Sequence, residues 1–415
     1  MRVSILNVGT ELLFGQIVNS NASFLSKELN DLGFDVMYHY VVGDNPSRIK
    51  KQLEVALSDT DIVITTGGLG PTQDDITKEI ACEYFGMPLV LYDDIVRDIE
   101  QKFIKFNKSM DANNLRQAYF PEDAIILDNA FGTAPGCILK KDNKIIVCLP
   151  GPPRELIPMF SDVKSYLRDL TDDHIYYKFI KTIGIGESAL ETKIMDLVMN
   201  QTDTTVATYA SLGETYLRIT SKNKDYARAK QNVEEFIVKL YDKIGEYIYS
   251  TDQKDLPTVV FEKLLEYNLK ISSAESCTGG LFASTMIDIE GSSQVFDRGI
   301  ISYSNEAKNE ILNVSQDVLD KFGAVSEETA SAMAQGLFEI SKSDISVSVT
   351  GIAGPDGGTI DKPVGLVYMA ISDGKNVSVF KKLYSKMSRN DIRKRSVLDM
   401  YKMIFDFLEQ NYEKR

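Results

Sequence analysis

A serine in the last third of the sequence occupies a position where a nucleophile can act. Residues 274–280 read Ala-Glu-Ser-Cys-Thr-Gly-Gly and join a predicted strand to a predicted helix. A side chain at such a turn is exposed, and the helix N-terminus stabilises an anion that develops beside it. We therefore assign Ser276 as the candidate nucleophile, with backbone N–H groups of Thr278, Gly279 and Gly280 near the anion or a phosphate. Two alternatives stay open: helix capping by Ser276 or Thr278, and attack by Cys277.

A lysine at a second strand-to-helix junction is the candidate base. The segment Tyr-Ser-Asn-Glu-Ala-Lys ends in Lys308, which lies one turn into the predicted helix and can point back at the strand end. A lysine desolvated beside a serine falls in pKa and can accept its proton. Tyr303 can orient the pair or relay a proton, and Asn305 is a candidate substrate contact. The chain has two histidines, His39 and His174, and neither lies in this part, so Ser-Lys-Tyr is its route to amide cleavage. The alternative for Lys308 is a solvated helix lysine.

A glycine loop and a basic segment complete this candidate site. Residues 350–358 follow a predicted strand, and backbone donors near Gly351 and Gly354 can hold a carboxamide, a ribose or a phosphate. A plain hairpin turn is the alternative there. The segment 381–402 carries eight basic and two acidic residues, among them Arg389 at a predicted helix start. Its guanidinium fork suits a 5′-phosphate, whereas most of the neighbouring charges are expected to be solvated.

A glycine turn near the N-terminus has the pattern of a phosphate site. Residues 65–75 run from a predicted strand through Gly67, Gly68 and Gly70 to a predicted helix start. Glycines let backbone N–H groups approach a phosphate, and the helix behind them presents its positive N-terminus. We expect Thr72 to cap that helix, and we assign it, with Gly67, Gly68 and Gly70, as a candidate substrate contact.

Carboxylates stand on two loops beside this turn. Asp74 and Asp75 are expected in the first helical turn, where the helix dipole favours negative charge. Glu11 and Asn19 follow the first predicted strand and so belong at the same sheet edge. Asp74 and Glu11 are the candidate ligands of a divalent metal held against a phosphate, and Asn19 is a candidate substrate contact. The alternative is a tight turn followed by carboxylates that merely begin a helix.

The elements that position these residues predict an α/β protein. The first 170 residues alternate apolar strands with helices, which indicates a doubly wound parallel sheet with ligands at the carboxyl ends of its strands. A small α+β connector follows, and a second α/β domain with its own strands and glycine loops ends the chain. We place the domains at 1–172, 173–251 and 252–415.

Composition limits the class of protein. The 415 residues suffice for two or three domains, and a net charge of −14 argues against a general nucleic-acid binder. Four cysteines without a CxxC pair exclude a disulfide framework, and two histidines exclude a three-histidine zinc site. The apolar run that opens the sequence is too short to span a membrane. We therefore expect a soluble, cytoplasmic protein without membrane contact.

Several motifs together resemble the CinA family, and the resemblance runs along the whole chain in order. These motifs are Gly9-Thr10-Glu11-Leu12, residues 67–75, Asn114 with Gln117-Ala118, Gly132-Thr133-Ala134-Pro135-Gly136, and Leu149-Pro150-Gly151-Pro152-Pro153-Arg154-Glu155. The resemblance implies a molybdopterin-binding-like first domain that is an ADP-ribose pyrophosphatase, dependent on a divalent metal with or without K⁺. It also implies a KH-like connector and a C-terminal nicotinamide mononucleotide deamidase that needs no cofactor.

The same resemblance bears on residue roles and assembly. It places the nucleophile on Ser276 rather than Cys277, gives Arg389 the substrate phosphate, and implies a homodimer. Two functions from other classes remain: a non-catalytic protein that binds a nucleotide or pterin, and a competence accessory protein. A binder has no need of a serine–lysine pair at adjacent strand ends, and the net charge weighs against direct DNA binding.

Overall fold

A computed structural model of the chain describes residues 1–105, 107, 109–171 and 173–412. Asp172, where the sequence predicts the first domain boundary, lies outside the described residues. Packing divides the chain into two compact units, residues 1–176 with 221–232, and residues 177–220 with 233–415. Each of the three predicted segments contains a sheet of its own.

The first segment alternates strands and helices as predicted. Its elements are β1 (Arg2–Val8), α1 (Thr10–Leu13), α2 (Ser20–Asp31), β2 (Asp35–Val42), α3 (Pro46–Asp59), β3 (Ile62–Thr66), α4 (Thr77–Phe85), β4 (Val90–Leu91), α5 (Asp93–Lys105), a 3₁₀ helix (Ala112–Ala118), β5 (Tyr119–Phe120), β6 (Ile125–Leu127), β7 (Gly136–Lys141), β8 (Lys144–Leu149) and α6 (Pro153–Arg168). Proline begins α3, where its missing N–H costs least.

The first sheet has the strand order β2-β1-β3-β8-β7-β6. Strands β2, β1, β3 and β8 run parallel, whereas the β7–β8 hairpin and β6 add antiparallel neighbours. The predicted α/β class is confirmed, and the sheet is mixed rather than wholly parallel. Val3 and Ile5 of β1 pack with α2 and α6, and Leu6 and Val8 pack on the other face with α3 and α4. Helices therefore cover both faces, as in a doubly wound fold.

The connector contains β9 (His174–Ile183), α7 (Glu187–Met199), β10 (Thr204–Ser211), β11 (Glu214–Asn223), α8 (Tyr226–Ile244), a 3₁₀ turn (Gly245–Tyr247) and β12 (Ile248–Ser250). Its strands form a sheet in the order β10-β11-β9-β12. The predicted small α+β module is confirmed.

The last segment contains α9 (Leu256–Glu266), β13 (Ile271–Glu275), α10 (Leu281–Ile287), a 3₁₀ turn (Ser292–Gln294), β14 (Phe296–Ile301), α11 (Asn305–Leu312), α12 (Gln316–Phe322), α13 (Glu327–Ile340), β15 (Ile345–Gly351), β16 (Leu366–Ser372), β17 (Val377–Leu383) and α14 (Arg389–Asn411). The sheet order is β14-β13-β15-β16-β17, with β14, β13 and β15 parallel. Among the described residues, no helix is long and apolar enough to cross a membrane.

Candidate active sites

The ends of β13 and β14 bring Ser276 and Lys308 together. Register pairs Glu275 with Ile301 of β14 on one side and with Val349 of β15 on the other, so β13 and β14 end at one level, beside the last residues of β15. The backbone N–H of Ser276 donates to the carbonyl of Val349 at 3.0 Å. The Lys308 Nζ lies 3.2 Å from the Ser276 Oγ. The structure thus forms the contact that the sequence suggested, while the chemical roles stay predictions.

Lys308 is enclosed rather than solvated. Its side chain is 1% exposed, and its Nζ donates to the backbone carbonyls of Ser302 at 2.8 Å and Tyr303 at 3.2 Å. Ser304 caps α11 by accepting from the N–H of Ala307, which fixes the helix turn that carries the lysine. Burial lowers the pKa of the Lys308 amine below its ordinary value. This shift favours the neutral amine, the form that can accept the proton of a serine hydroxyl.

Cys277 is in a poor environment for attack. The side chain is 6% exposed and belongs to the apolar core of the last domain. Burial raises the pKa of its thiol to about 12, so the reactive thiolate is scarce at neutral pH. This environment favours Ser276 over Cys277.

A buried glutamate, which the sequence reasoning missed, builds the turn that follows the serine. Glu275 is 1% exposed, and its carboxylate accepts from the N–H groups of Phe282 at 3.1 Å and Ala283 at 2.9 Å in the first turn of α10. Neither Ser276 nor Thr278 caps this helix, since its N-cap is Gly280 without a side-chain bond. The sequence did contain a signal for Glu275: an acidic residue at the end of a predicted buried strand, shortly before a glycine turn.

The turn itself leaves polar groups for a ligand. Gly279 and Gly280 have φ values of 61° and 89°, in the left-handed region that favours glycine. The Thr278 hydroxyl is buried, and among the described residues it has no hydrogen-bond partner. The backbone carbonyl of Thr278 accepts a hydrogen bond from the Arg393 guanidinium at 2.8 Å. Arg393 was also missed, although it lies one helical turn after Arg389 on α14.

Tyr303 contributes a backbone group to Lys308 and its side-chain hydroxyl to Arg389. Lys308 contacts the tyrosine's backbone carbonyl, whereas the ring is 64% exposed and its hydroxyl lies 3.4 Å from Arg389. Arg389 begins α14 as predicted and donates to the Gly354 carbonyl at 2.7 Å. The orienting or relay role expected of Tyr303 stays a prediction.

The remaining predicted contacts of this site differ in setting. Gly354 has a φ of 72°, and its backbone carbonyl accepts a hydrogen bond from Arg389. Gly351 lies inside β15 opposite Val367, and an added Cβ would stand 2.6 Å from the valine side chain, which explains the glycine by packing. Asn305 is the exposed first residue of α11. Their contact with substrate stays a prediction.

The N-terminal glycine turn opens onto a cavity of about 710 Å³. Its lining includes Gly67, Gly68, Gly70, Glu11, Asp74 and Asp75, so the two loops meet as expected. Asn19 lines a smaller neighbouring cavity that shares Glu11, and its side chain caps α2 by accepting from the N–H of Ala22 at 3.1 Å.

The expectation that Thr72 caps a helix is wrong. α4 begins at Thr77, and residues 67–76 form a longer loop in which Asp74 and Asp75 precede the helix. The Thr72 hydroxyl lies within hydrogen-bonding distance of both carboxylates, and this contact lowers the pKa of Asp74. Arg116, another residue that the sequence did not reveal, donates to the Thr72 carbonyl at 2.8 Å and braces the loop.

The donor set of the cavity suits a hard cation. Carboxylate oxygens of Glu11 and Asp74 are the ligand type that Mg²⁺ prefers, and Mg²⁺ sites commonly use one or two carboxylates plus substrate phosphates. Within the described part of the chain, no group of three or more His, Cys, Asp or Glu side chains is placed to hold a metal ion. A metal here would thus need oxygen atoms from the substrate or from water.

Three sequence profiles of known families match consecutive parts of the chain. Residues 4–169 match the family described as "Probable molybdopterin binding domain", residues 177–250 match "Damage-inducible protein CinA KH domain", and residues 253–408 match "CinA C-terminal domain". Fold and profiles together define an α/β protein with a molybdopterin-binding-like domain, a KH-like module and a CinA C-terminal domain.

Two relatives match this chain along nearly its whole length, and a solved structure matches part of it. A protein of Acetivibrio thermocellus named as a competence-damage inducible protein is 47% identical over 405 residues, 97% of this chain and 98% of the relative. A CinA-like protein of Dictyoglomus turgidum is 46% identical and covers 95% of this chain and 96% of its own length. The crystal structure of the competence/damage inducible protein CihA from Agrobacterium tumefaciens is 41% identical, covers 37% of this chain and 93% of that chain, and has a TM-score of 0.36. The chain belongs to the CinA family.

Proposed function

We propose that the C-terminal domain hydrolyses the amide of nicotinamide mononucleotide to nicotinate mononucleotide and ammonia. The observation that carries this proposal is the 3.2 Å contact between the Ser276 hydroxyl and the buried Lys308 amine. A buried neutral amine is a general base that acts without a metal, and a serine is the nucleophile that it activates. Binding alone gives no reason for enclosing a lysine beside this hydroxyl.

The reaction follows from these two groups. Lys308 accepts the Ser276 proton while Oγ bonds to the carboxamide carbon. The carbonyl oxygen becomes an oxyanion near the N–H groups of Thr278 and Gly280, since those of Ser276 and Gly279 already donate to backbone carbonyls. The Lys308 ammonium then protonates the leaving nitrogen, which departs as ammonia and leaves an ester on Ser276. Water, deprotonated by the same amine, cleaves that ester and releases nicotinate mononucleotide and the free serine. One water is consumed for each amide.

The product spectrum tests this proposal. Purified protein is incubated with nicotinamide, nicotinamide riboside, nicotinamide mononucleotide and NAD, with and without chelator, and the products are identified by mass spectrometry. We expect the mononucleotide to be deamidated fastest, whether or not the chelator is present. Unchanged substrates throughout would support the alternative of a non-catalytic binding protein.

Arg389 is expected to act through substrate binding. Its guanidinium is fixed at the start of α14 by the Gly354 carbonyl and the Tyr303 hydroxyl, at the edge of the serine site. Arg389→Ala should raise KM for nicotinamide mononucleotide by about 10- to 100-fold and change kcat less, because a charge-assisted phosphate contact is lost. The same variant should handle nicotinamide riboside, which has no phosphate, almost like the wild type. An equal loss for both substrates would contradict the phosphate role.

The pH dependence of deamidation follows from the environment of Lys308. Because burial lowers the pKa of the amine, its neutral form appears at lower pH than that of an exposed lysine. We therefore expect kcat/KM to rise with pH through the Lys308 pKa and to reach a plateau below about pH 10.4, the ordinary lysine value. Lys308→Arg, which stays protonated, should remove both the rise and the activity. Retention of both the rise and the activity in Lys308→Arg would exclude Lys308 as the base.

For the N-terminal domain we propose a metal-dependent ADP-ribose pyrophosphatase. The cavity of about 710 Å³ has room for a dinucleotide, and it combines a glycine turn with the carboxylates of Glu11 and Asp74. A divalent metal, with or without K⁺, would be held by these carboxylates and would stabilise negative charge on the phosphates. The chain's own contribution is to orient the pyrophosphate by backbone N–H groups of Gly68 and Gly70, since the N–H of Gly67 donates to the Leu149 carbonyl at 3.0 Å.

These assignments imply small nucleotides as partners, nicotinamide mononucleotide and ADP-ribose, without nucleic acid or membrane. The family resemblance also leads us to propose a homodimer. A competence accessory role stays a second candidate, but no described contact favours it.

A further inference from the structure

An exposed phenylalanine stands at the edge of the N-terminal cavity. The Phe131 side chain is 57% exposed although it lines that cavity together with the glycine turn. Among the lining residues that the structure describes, Phe131 is the aromatic one, and glycines, prolines and charged side chains supply most of the rest. An apolar ring left in water at the mouth of a polar cavity offers a stacking face that the fold itself does not use.

The loop that carries the ring is built to hold it there. Asn129 is 1% exposed, and its amide donates to the Ala134 carbonyl and to the Glu155 carboxylate, both at 2.9 Å. The same side chain accepts from the N–H of Phe131 at 3.1 Å. Gly132 passes so close to Glu155 that an added Cβ would lie 2.2 Å from its carboxylate oxygen. The loop is therefore pinned at both ends around the exposed ring.

From this geometry we infer that Phe131 forms a nucleobase subsite. The inference rests on the proposed nucleotide chemistry of the domain and adds the group that binds the base. The glycine turn holds phosphates at one wall of the cavity, and the ring at the mouth stacks against the flat base of the same ligand. Stacking on an aromatic side chain recognises any base by its face, so it contributes affinity for nucleotides over free phosphates.

Titration of two probes tests the inference in the full chain. ADP carries a base and a pyrophosphate, whereas inorganic pyrophosphate carries no base, and both are titrated calorimetrically with Mg²⁺ present. Phe131→Ala should lower the affinity for ADP by about 5- to 150-fold, the range expected for the loss of one stacked base. The affinity for pyrophosphate should not change. Phe131→Tyr should keep ADP affinity. Phe14→Ala is the matched control, because Phe14 is 76% exposed in the same domain and does not line this cavity.

The outcomes separate this subsite from the enzyme activity. If Phe131→Ala bound ADP as tightly as the wild type, the subsite would be overturned and the pyrophosphatase proposal would stand. The same holds if the variant lost affinity for ADP and for pyrophosphate equally. ADP affinity that depends on Phe131 in a protein unable to cleave ADP-ribose would support the subsite and reject the pyrophosphatase. A wild type that binds neither probe would overturn both.

Discussion

Ser276→Ala and Lys308→Ala should each lower nicotinamide mononucleotide deamidation by about 10⁴- to 10⁶-fold, as removal of one member of a catalytic unit does in serine hydrolases. The physical reason is that the amine must take the proton of the hydroxyl, which lies 3.2 Å away, so neither group acts without the other. The double variant should therefore be no worse than either single one. Ammonia release at saturating substrate measures the loss.

Cys277→Ala is the matched control for this prediction. It removes the neighbouring thiol from the core and should keep most of the deamidase activity, because that thiol is buried and protonated. Lys308→Met, closer in volume to lysine, separates loss of the base from a packing defect, and thermal unfolding checks the fold of each variant. Loss of activity in Cys277→Ala with retention in Ser276→Ala would move the nucleophile to the cysteine.

A chelator should affect one of the two proposed activities of the chain and not the other. EDTA is expected to abolish ADP-ribose cleavage and to leave deamidation unchanged, since the pyrophosphatase cavity offers carboxylates to a metal and the serine site relies on an amine. Asp74→Ala should abolish ADP-ribose cleavage as well. Both activities are measured in the same preparation, so one serves as the control for the other.

A second carboxylate of the same domain provides the control for Asp74→Ala. Asp123 is exposed in the same domain and does not line the cavity, so Asp123→Ala should cleave ADP-ribose like the wild type. Full cleavage in EDTA, or full cleavage by Asp74→Ala, would remove the metal role from this loop.

The sequence predicted best where a local signal and the strand ends agreed. Arg389 was predicted at a helix start and is the first residue of α14, which the short polar side chain of Ser388 caps. Ser276 and Lys308 were predicted to meet because each follows a strand of the same parallel set, and parallel strands end at one sheet edge.

The errors arose where long-range contacts decide the local structure. Thr72 lies five residues before its helix begins, because Arg116, distant in sequence, braces an extended loop. Arg389 likewise contacts the Tyr303 hydroxyl from 86 positions away in the sequence, a pairing that the sequence did not predict. Arg393 and Arg116 also position the sites through contacts with residues distant in the sequence.

Wild-type turnover of nicotinamide mononucleotide in EDTA tests the central claim most directly. The measurement quantifies nicotinate mononucleotide and ammonia released by the purified full chain over time. We predict both products in equal amounts, formed at the same rate as without chelator. Failure to form nicotinate mononucleotide, release of free nicotinamide in its place, or activity that disappears in EDTA would contradict a metal-independent amide hydrolysis by Ser276 and Lys308.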